Sequence, residues 1–310
     1  MNEDQDAHPA ADAARAFDRV ADAYDRARPA YPAEAVDWLL AGARRTGSAP
    51  DVLELAAGTG KLTEQLLARG CTVTATDPSP TMLARLTHRA PGARALVGTA
   101  EQVPARAGSA DVVVAAQAFH WFDAEQALAE AARVLRPGGR LVLLWNTRDE
   151  RIPWVKRLGR IIGTVEQPDD PTEAIAAAGL FEDAEQETFR FWQPMTAESL
   201  RDLVCSRSNV ALMPADQRER VLAEVDELYA EYGRGHDGML LPYVTTACRA
   251  TLLPSTGRQP GPGGLDHRVS TSSTPEGRDQ SAGTDGAGNL TDGEVVVPEG
   301  LDGSLLIDFK

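Results

Sequence analysis

The feature that most constrains this chain is an alternation of apolar runs and helical segments between residues 51 and 145. Short apolar runs separated by helices of about ten residues are the pattern of βαβ units and a parallel sheet. Consecutive Val and Leu residues favour strands that are buried on both faces. The predicted strands are 51–55, 72–76, 93–98, 110–117 and 139–145, with helices at 61–69, 80–89 and 123–135. The sequence therefore predicts an α/β fold with a Rossmann-like, doubly wound, mostly parallel sheet.

The flanking segments predict one domain that is extended by helices at both ends. A helical cap over 15–48 precedes the alternation, and a helical insertion at about 196–233 follows it. The domain is predicted to span 15–252, with further elements as a helix at 33–45, strands at 187–193 and 240–252, and helices at 172–180, 196–212 and 215–232. Residues 1–14 are predicted to be flexible. Residues 253–310 are rich in Gly, Pro, Ser, Thr and Asp, a composition that predicts disorder.

Charge and composition exclude several classes of protein. With 31 Lys and Arg against 46 Asp and Glu, the net charge is −15, which argues against binding to nucleic acid or to an anionic membrane. We find no apolar run near the roughly 20 residues that span a bilayer, and the acidic start does not resemble a secretory signal. Scattered cysteines and histidines, without CxxC or HxxxH pairs, predict neither disulfides nor a metal site. We therefore expect a cytoplasmic protein.

The segment from Val52 to Thr63 predicts a ligand site. It combines a buried strand, a turn of small residues and the start of a helix, and small residues allow a ligand to approach the backbone. Ligands of open α/β sheets bind at the carboxyl ends of the strands. Asp77 ends the second strand, where its carboxylate can accept hydrogen bonds from both hydroxyls of a ribose. Turn and acid together indicate a nucleoside site.

Several interpretations of this turn compete. A phosphate-binding P-loop requires GxxxxGK[ST], but Leu62 follows Lys61 and the first glycine is absent. A dinucleotide fold requires GxGxxG, and Thr63 stands in place of its third glycine. S-adenosylmethionine has no phosphate but carries an ammonium and a sulfonium, which Glu54 can favour. A loop that merely joins strand to helix would leave Glu54 in an apolar strand at a cost.

These motifs resemble those of class I S-adenosylmethionine-dependent methyltransferases. The segment Glu54–Gly60 is similar to the family's acid-x-Gly-x-Gly-x-Gly motif, with Ala56 in place of the first glycine. Asp77 matches the acid that holds the ribose, Gly98–Pro104 resembles the motif near the adenine, and Leu135–Gly139 the turn before the fifth strand. The segments 24–32, 119–122 and 241–245 resemble the type 11, or trans-aconitate-methyltransferase-like, branch, whose members act on small molecules.

The resemblance implies S-adenosylmethionine as the cofactor and a set of residues that bind it. Tyr24 and Arg28 would close over the cofactor or simply pack a helix, and Met82 would face the adenine or lie in the core. Gln117 would lie beside the methionine moiety, whereas Lys61 is expected to be solvated. The implied cofactor-binding residues are Tyr24, Arg28, Glu54, Ala56, Gly58, Thr59, Gly60, Asp77, Pro78, Met82, Ala100, Glu101 and Gln117.

The implied reaction is an in-line transfer of a methyl group to a small-molecule acceptor, such as a carboxylate or a hydroxyl. The protein then mainly supplies proximity and orientation, and a general base is needed only for a protonated nucleophile. His120 is the candidate catalytic residue, either as a base or as a residue that positions the acceptor. The alternatives are an NAD(P)-dependent oxidoreductase and a non-catalytic protein that binds S-adenosylmethionine.

Overall fold

The computed structural model describes residues 28–43, 49–163, 170–211, 213–233 and 238–254. Its strands are β1 (Asp51–Leu55), β2 (Thr72–Asp77), β3 (Arg94–Val97), β4 (Ala110–Ala116), β5 (Leu135–Arg148), β6 (Glu185–Met195) and β7 (Met239–Thr251). Its helices are α1 (Ala33–Leu40), α2 (Lys61–Leu67), α3 (Pro80–Arg89), α4 (Ala124–Val134), α5 (Pro153–Ile162), α6 (Pro171–Ala178), α7 (Ala197–Cys205), α8 (Ser208–Ala211) and α9 (Ala215–Tyr232). A 3₁₀ turn covers Phe119–Trp121.

The strands form one seven-stranded sheet in the order β3-β2-β1-β4-β5-β7-β6. Strands β1 to β5 are parallel, whereas β7 runs antiparallel to both β5 and β6. The strand order reverses between β1 and β4, which is the place where ligands bind in open α/β sheets. The predicted Rossmann-like fold, a mostly parallel sheet flanked by helices, is confirmed.

Continuous apolar sequence explains why β4 lies at the centre of the sheet. Val112, Val113 and Val114 are all fully buried, because helices cover both faces of the strand. Val113 belongs to the cluster packed against α4, and Val112 and Val114 to the cluster packed against α1 and α2. Two apolar layers therefore hold the carboxyl ends of β1 and β4 in register.

Several predicted boundaries are wrong. Strand β5 begins at Leu135, not at residue 139, because Leu135 already pairs with Ala110 before residues 136–139 bulge out and pairing resumes at Arg140. Helix α1 ends at Leu40, well before residue 45. The helix predicted over 196–212 is interrupted after Cys205.

Other predictions fall outside the described residues. These are the flexible N-terminus over 1–14, most of the helical cap over 15–48, and the tail from residue 255 to 310. Within the described ranges, no helix is long and apolar enough to cross a membrane.

The pairing of β7 with its neighbours predicts a sharp contrast between two adjacent leucines. Leu241 is fully buried beneath α5, α7 and α9, whereas 44% of Leu240 is exposed. Leu241→Ala should lower the free energy of unfolding by about 2–5 kcal/mol through lost burial and a cavity. Leu240→Ala, the matched control, should change it by less than about 0.5 kcal/mol. Urea denaturation of the full chain measures both, and similar losses for the two variants would contradict this arrangement of β7.

Candidate functional site

The turn between β1 and α2 has an unusual backbone. Ala56, Gly58 and Gly60 have φ angles of 49°, 55° and 82°, in the left-handed region. That conformation costs a residue with a Cβ roughly 1–2 kcal/mol, a strain that Ala56 carries. A Cβ on Gly60 would lie 2.9 Å from Leu86 Cγ, whereas a Cβ on Gly58 would meet no atom within 4 Å. Gly60 therefore allows α2 and α3 to pack, and Gly58 borders open space.

Asp77 ties this turn to the end of β2. Its Oδ2 accepts a hydrogen bond of 2.9 Å from Gly58 N, and its Oδ1 accepts one of 2.8 Å from Ser79 N. Burial raises the pKa of the Asp77 carboxyl, and the two backbone N–H groups partly oppose that shift. Each carboxylate oxygen keeps a further lone pair for another donor.

Glu54 is a buried acid on the central strand β1. Its side chain is 2% exposed, and its Oε2 accepts a hydrogen bond of 2.6 Å from Thr63 Oγ1 on α2. Burial raises the pKa of the Glu54 carboxyl to about 8, the Thr63 hydrogen bond lowers it, and the charge of Asp77 raises it. Such a carboxyl is stabilised strongly in its ionised form by a nearby cation.

A cavity of about 260 Å³ lies over this turn, at the carboxyl ends of β1 and β4. Its volume is just below the roughly 300–1,000 Å³ of typical ligand pockets. Six of the predicted site residues line it together: Arg28, Glu54, Ala56, Gly58, Thr59 and Gln117. The remaining lining residues are Pro29, Tyr31, Ala57, Lys61, Leu62, Ala116, Ala118 and Trp121.

Six other predicted cofactor residues lie outside this lining. Gly60 ends the turn before α2, and Asp77, Pro78, Met82, Ala100 and Glu101 lie along the ends of β2 and β3. Pro78 is exposed, and Met82 is half-buried on the first turn of α3, so it is not a core methionine. Ala100 is buried in the core beside α4. Glu101 Oε1 accepts a hydrogen bond of 3.0 Å from Asp123 N, the residue that caps α4.

Gln117 has a strained backbone where the chain leaves β4. Its φ angle is 60°, and its N–H donates to Leu144 O at 2.8 Å. Its Nε2 donates to Asn146 O at 3.0 Å. Both contacts reach β5, so the rim of the cavity is anchored to the neighbouring strand. Strain in a non-glycine residue is typical of functional sites.

His120 lies three residues further on, in the 3₁₀ turn. It is exposed and does not line the cavity, although its ring centre lies 4.9 Å from that of Trp121, which does. The structure therefore places His120 beside one residue of the cavity lining, and not in the lining itself.

The expectation that Lys61 is solvated is wrong. Lys61 is half-buried in the cavity wall, and its Nζ donates a hydrogen bond to the carbonyl of Arg28. Tyr24, predicted to act with Arg28, lies outside the described residues. Sequence reasoning also missed Tyr31, which lines the cavity. Tyr31 N donates a hydrogen bond of 3.2 Å to Gln65 Oε1, and Gln65 Nε2 donates one of 2.7 Å to Tyr31 O. The only sequence signal for Tyr31 was its place in the motif over 24–32.

The described residues do not form a cluster of side chains that could bind a metal ion. Across those residues, no group of three or more His, Cys, Asp or Glu side chains is arranged to hold a metal ion.

The sequence was compared with protein families and with known proteins, and the matches are methyltransferases. Residues 53–143 match a family model described as a methyltransferase domain. The chain is 45% identical over 244 residues to an uncharacterized methyltransferase of Mycobacterium tuberculosis, covering 78% of this chain and 97% of that protein. It is 36% identical over 246 residues to an uncharacterized methyltransferase-like protein of Schizosaccharomyces pombe, covering 76% and 94%.

Two further matches are narrower in what they show. A malonyl-[acyl-carrier protein] O-methyltransferase of Methylococcus capsulatus is 40% identical over 115 residues, covering 35% of this chain and 42% of that protein. A solved structure from Anaeromyxobacter dehalogenans, described as a candidate type II methyltransferase, superposes with a TM-score of 0.54 at 24% identity. It covers 73% of this chain and 99% of that one, and it shows the same fold.

The raised pKa of Glu54 predicts a specific dependence of stability on pH. The ordinary pKa is 4.5 and the folded value about 8, so between these values the unfolded state releases a proton that the folded state retains. Stability should therefore fall as pH rises from about 4.5 to 8 and level off above it. In Glu54→Gln this component should be absent. Urea denaturation of both proteins from pH 4.5 to 9 measures the difference, and parallel pH profiles would contradict a protonated Glu54.

Proposed function

Because the chain belongs to the family of S-adenosylmethionine-dependent class I methyltransferases, we propose that it methylates a carboxylate or hydroxyl oxygen of a small-molecule acceptor. The observation that carries the proposal is the cavity beside the turn after β1, which is walled by Glu54, Gly58 and Gln117. One partial relative is named an O-methyltransferase, which supports an oxygen acceptor. We also propose that the chain belongs to the trans-aconitate-methyltransferase-like branch of this family.

The residues present fit S-adenosylmethionine. The space beside Gly58, which a Cβ would enter freely, is open to a ligand that lies along the turn. Glu54, buried in the wall with a raised pKa, would favour the ammonium of the methionine moiety. Asp77, with a spare lone pair on each oxygen, would accept the hydroxyls of the ribose.

The other residues assigned to the cofactor lie in three places: around the turn after β1, along the ends of β2 and β3, and at the end of β4. Ala56, Thr59, Gly60 and Arg28 would enclose the cofactor beside the turn, with Tyr24 before them. Pro78, Met82, Ala100 and Glu101 lie along the ends of β2 and β3, on the side where the adenine would extend from the ribose. Gln117 would contact the methionine moiety on the β4 side.

The bound cofactor supplies a methyl group on a sulfonium, which is already activated for displacement. The chain's own residues then need to orient the acceptor and exclude water, because alignment accounts for much of the rate of such a step. Trp121 and Tyr31, which line the cavity, would provide apolar walls for the acceptor. His120, next to Trp121, would hydrogen-bond the acceptor and hold it in line.

Family membership as a methyltransferase sets aside the nicotinamide-dependent oxidoreductase. The structure agrees at one position: Thr63, which replaces the third glycine of a dinucleotide motif, is fully buried and bonded to Glu54. The same membership favours an enzyme over a protein that only binds S-adenosylmethionine.

Cofactor binding tests the proposal directly. S-adenosylhomocysteine at about 100 times its dissociation constant should add about 2.7 kcal/mol of stability, seen as a rise in Tm, and NAD should add none. Asp77→Asn should lower the affinity for S-adenosylhomocysteine about tenfold or more, because the hydroxyls of the ribose lose a charged hydrogen-bond acceptor. Asp111→Asn is the matched control, since Asp111 is also buried and its Oδ2 accepts a hydrogen bond of 2.9 Å from Asp51 N, but at the amino ends of β1 and β4, away from the cavity.

Two results of that titration would contradict the proposal. Stabilisation by NAD and none by S-adenosylhomocysteine would remove the assignment of the cofactor. If the affinity for S-adenosylhomocysteine fell equally in the Asp77 and Asp111 variants, Asp77 would act on binding only through the stability of the fold.

The role of His120 is separable once labelled methyl transfer in a cell extract has identified an acceptor. For a residue that positions the acceptor, His120→Ala should raise the apparent KM for the acceptor several-fold and leave the pH profile of kcat unchanged. A base would instead show a strong loss of kcat and of an ionisation near neutral pH. Unchanged acceptor kinetics with weaker cofactor binding would overturn both roles.

A further inference from the structure

A second cavity lies at the amino ends of the parallel strands, at the opposite end of the sheet from the turn after β1. Its volume is about 640 Å³, against about 260 Å³ for the first cavity, and is within the roughly 300–1,000 Å³ of typical ligand pockets. The first residues of β1 to β4 all line it, and these are Asp51, Thr72, Arg94 and Ala110. The two cavities share no lining residue, so the second is a separate candidate site.

The connection between β3 and β4 leaves this part of the sheet open. A connection between parallel strands usually contains a helix, which covers the face of the sheet that it crosses, but residues 98–109 contain none. Leu53, Thr74 and Arg94 lie side by side in the pairing of β1, β2 and β3, so their side chains share one face. That face and the loop at 103–106 form the walls of the cavity.

The floor of the cavity is apolar. Leu53, Leu96 and Val103 line it, and they are only 2%, 6% and 5% exposed. Thr72 and Thr74 add two hydroxyls on one face of β2, because their positions differ by two. Such a floor favours contact with an apolar part of a ligand over contact with water, and the hydroxyls can form hydrogen bonds beside it.

Three arginines line the same cavity: Arg94 on β3, Arg106 in the loop before β4, and Arg133 near the end of α4. Arg133 is fixed by its contacts, because its Nε donates to Glu130 Oε1 at 2.7 Å and its Nη1 donates to Ala105 O at 2.8 Å. Glu130 offsets its charge, so Arg133 mainly holds the loop that forms one wall. Arg94 and Arg106 are exposed and carry their charges at the rim of the cavity.

The charges around the cavity favour an anion. Asp51 is the acid in this lining, and it pairs at 2.8 Å with Arg136, which lies outside the lining. Arg94 and Arg106 add two positive charges at the rim, although the whole chain carries a net charge of −15. Guanidinium groups bind carboxylate and phosphate oxygens through strong, often paired, hydrogen bonds. The cavity therefore matches a ligand with an acidic group.

We propose that this second cavity binds a small organic anion. A carboxylate or phosphate group of the ligand binds Arg94 and Arg106, and its apolar part lies on Leu53, Leu96 and Val103. The site does not depend on the proposed function, because the cofactor cavity contains none of these residues. The anion and the cofactor therefore bind the protein at the same time.

Isothermal titration calorimetry of the full chain tests this site with probes that separate its parts. Octanoate and octyl phosphate each combine an acidic group with an apolar chain, whereas octanol carries the chain alone and inorganic phosphate the acidic group alone. The probes are kept below micelle-forming concentrations, at an ionic strength held constant with sodium chloride. Octanoate or octyl phosphate should bind at least about tenfold more tightly than octanol and inorganic phosphate, because charge-assisted hydrogen bonds and apolar burial both contribute. Their relative affinity identifies the acidic group that the site accepts.

Variants then locate the binding. Arg94→Gln and Arg106→Gln should each lower the affinity for the tighter anion about tenfold, because a charge-assisted hydrogen bond is lost. Arg94→Lys keeps the charge but not the paired geometry, so it should restore part of the affinity. Both arginines are exposed, so the ligand-free Tm should change little. Arg220→Gln is the matched control with unchanged affinity, because the side chain of Arg220 on α9 is 70% exposed and lies outside the lining.

Several results would overturn this site. Neither octanoate nor octyl phosphate binds, or octanol or inorganic phosphate binds as tightly as they do, or the Arg94 and Arg106 variants bind the anion like the parent protein. Displacement of the anion by S-adenosylhomocysteine would also overturn it, because the anion would then lie in the cofactor cavity. S-adenosylhomocysteine is titrated on the same samples and reports separately on the proposed function. If the parent protein does not bind it, that function is contradicted and the anion site is not.

Discussion

Two backbone hydrogen bonds to one carboxylate organise the site. Asp77 accepts the N–H groups of Gly58 and Ser79, and so joins the turn after β1 to the start of α3. Since the carboxylate is buried, these donors replace the water that its charge would otherwise keep. The bracket holds the left-handed turn against the end of β2 and leaves its open side facing the cavity.

The site also buries an acid that an apolar core would normally exclude. Glu54 lies in the cavity wall, where Thr63 Oγ1 donates a hydrogen bond to one of its carboxyl oxygens. Under the proposed function, this carboxyl would meet the ammonium of the cofactor, and a cation beside a buried carboxyl favours its ionised form.

Local sequence signals predicted much of the fold. Strand β1 and helix α3 were predicted with the observed bounds, 51–55 and 80–89. Helix α3 starts where predicted because Ser79 caps it and Pro80 suits its first position. Strand β5 was misplaced because its first residue pairs across a bulge, and pairing between distant strands leaves no local pattern. The same applies to Lys61, whose partner is a carbonyl 33 residues away.

The sequence by itself determined strand β1, the glycine turn that follows it and the positions of Glu54 and Asp77. It could do so because burial periodicity and backbone sterics act between neighbouring residues. Six of the predicted cofactor residues therefore share one cavity wall. Only the tertiary structure brought Tyr243 opposite Arg148 and close to Arg207. Their proximity depends on the antiparallel insertion of β7 between β5 and β6. Register between strands so far apart is decided by the packing of the whole sheet, and spacing along the chain does not encode it.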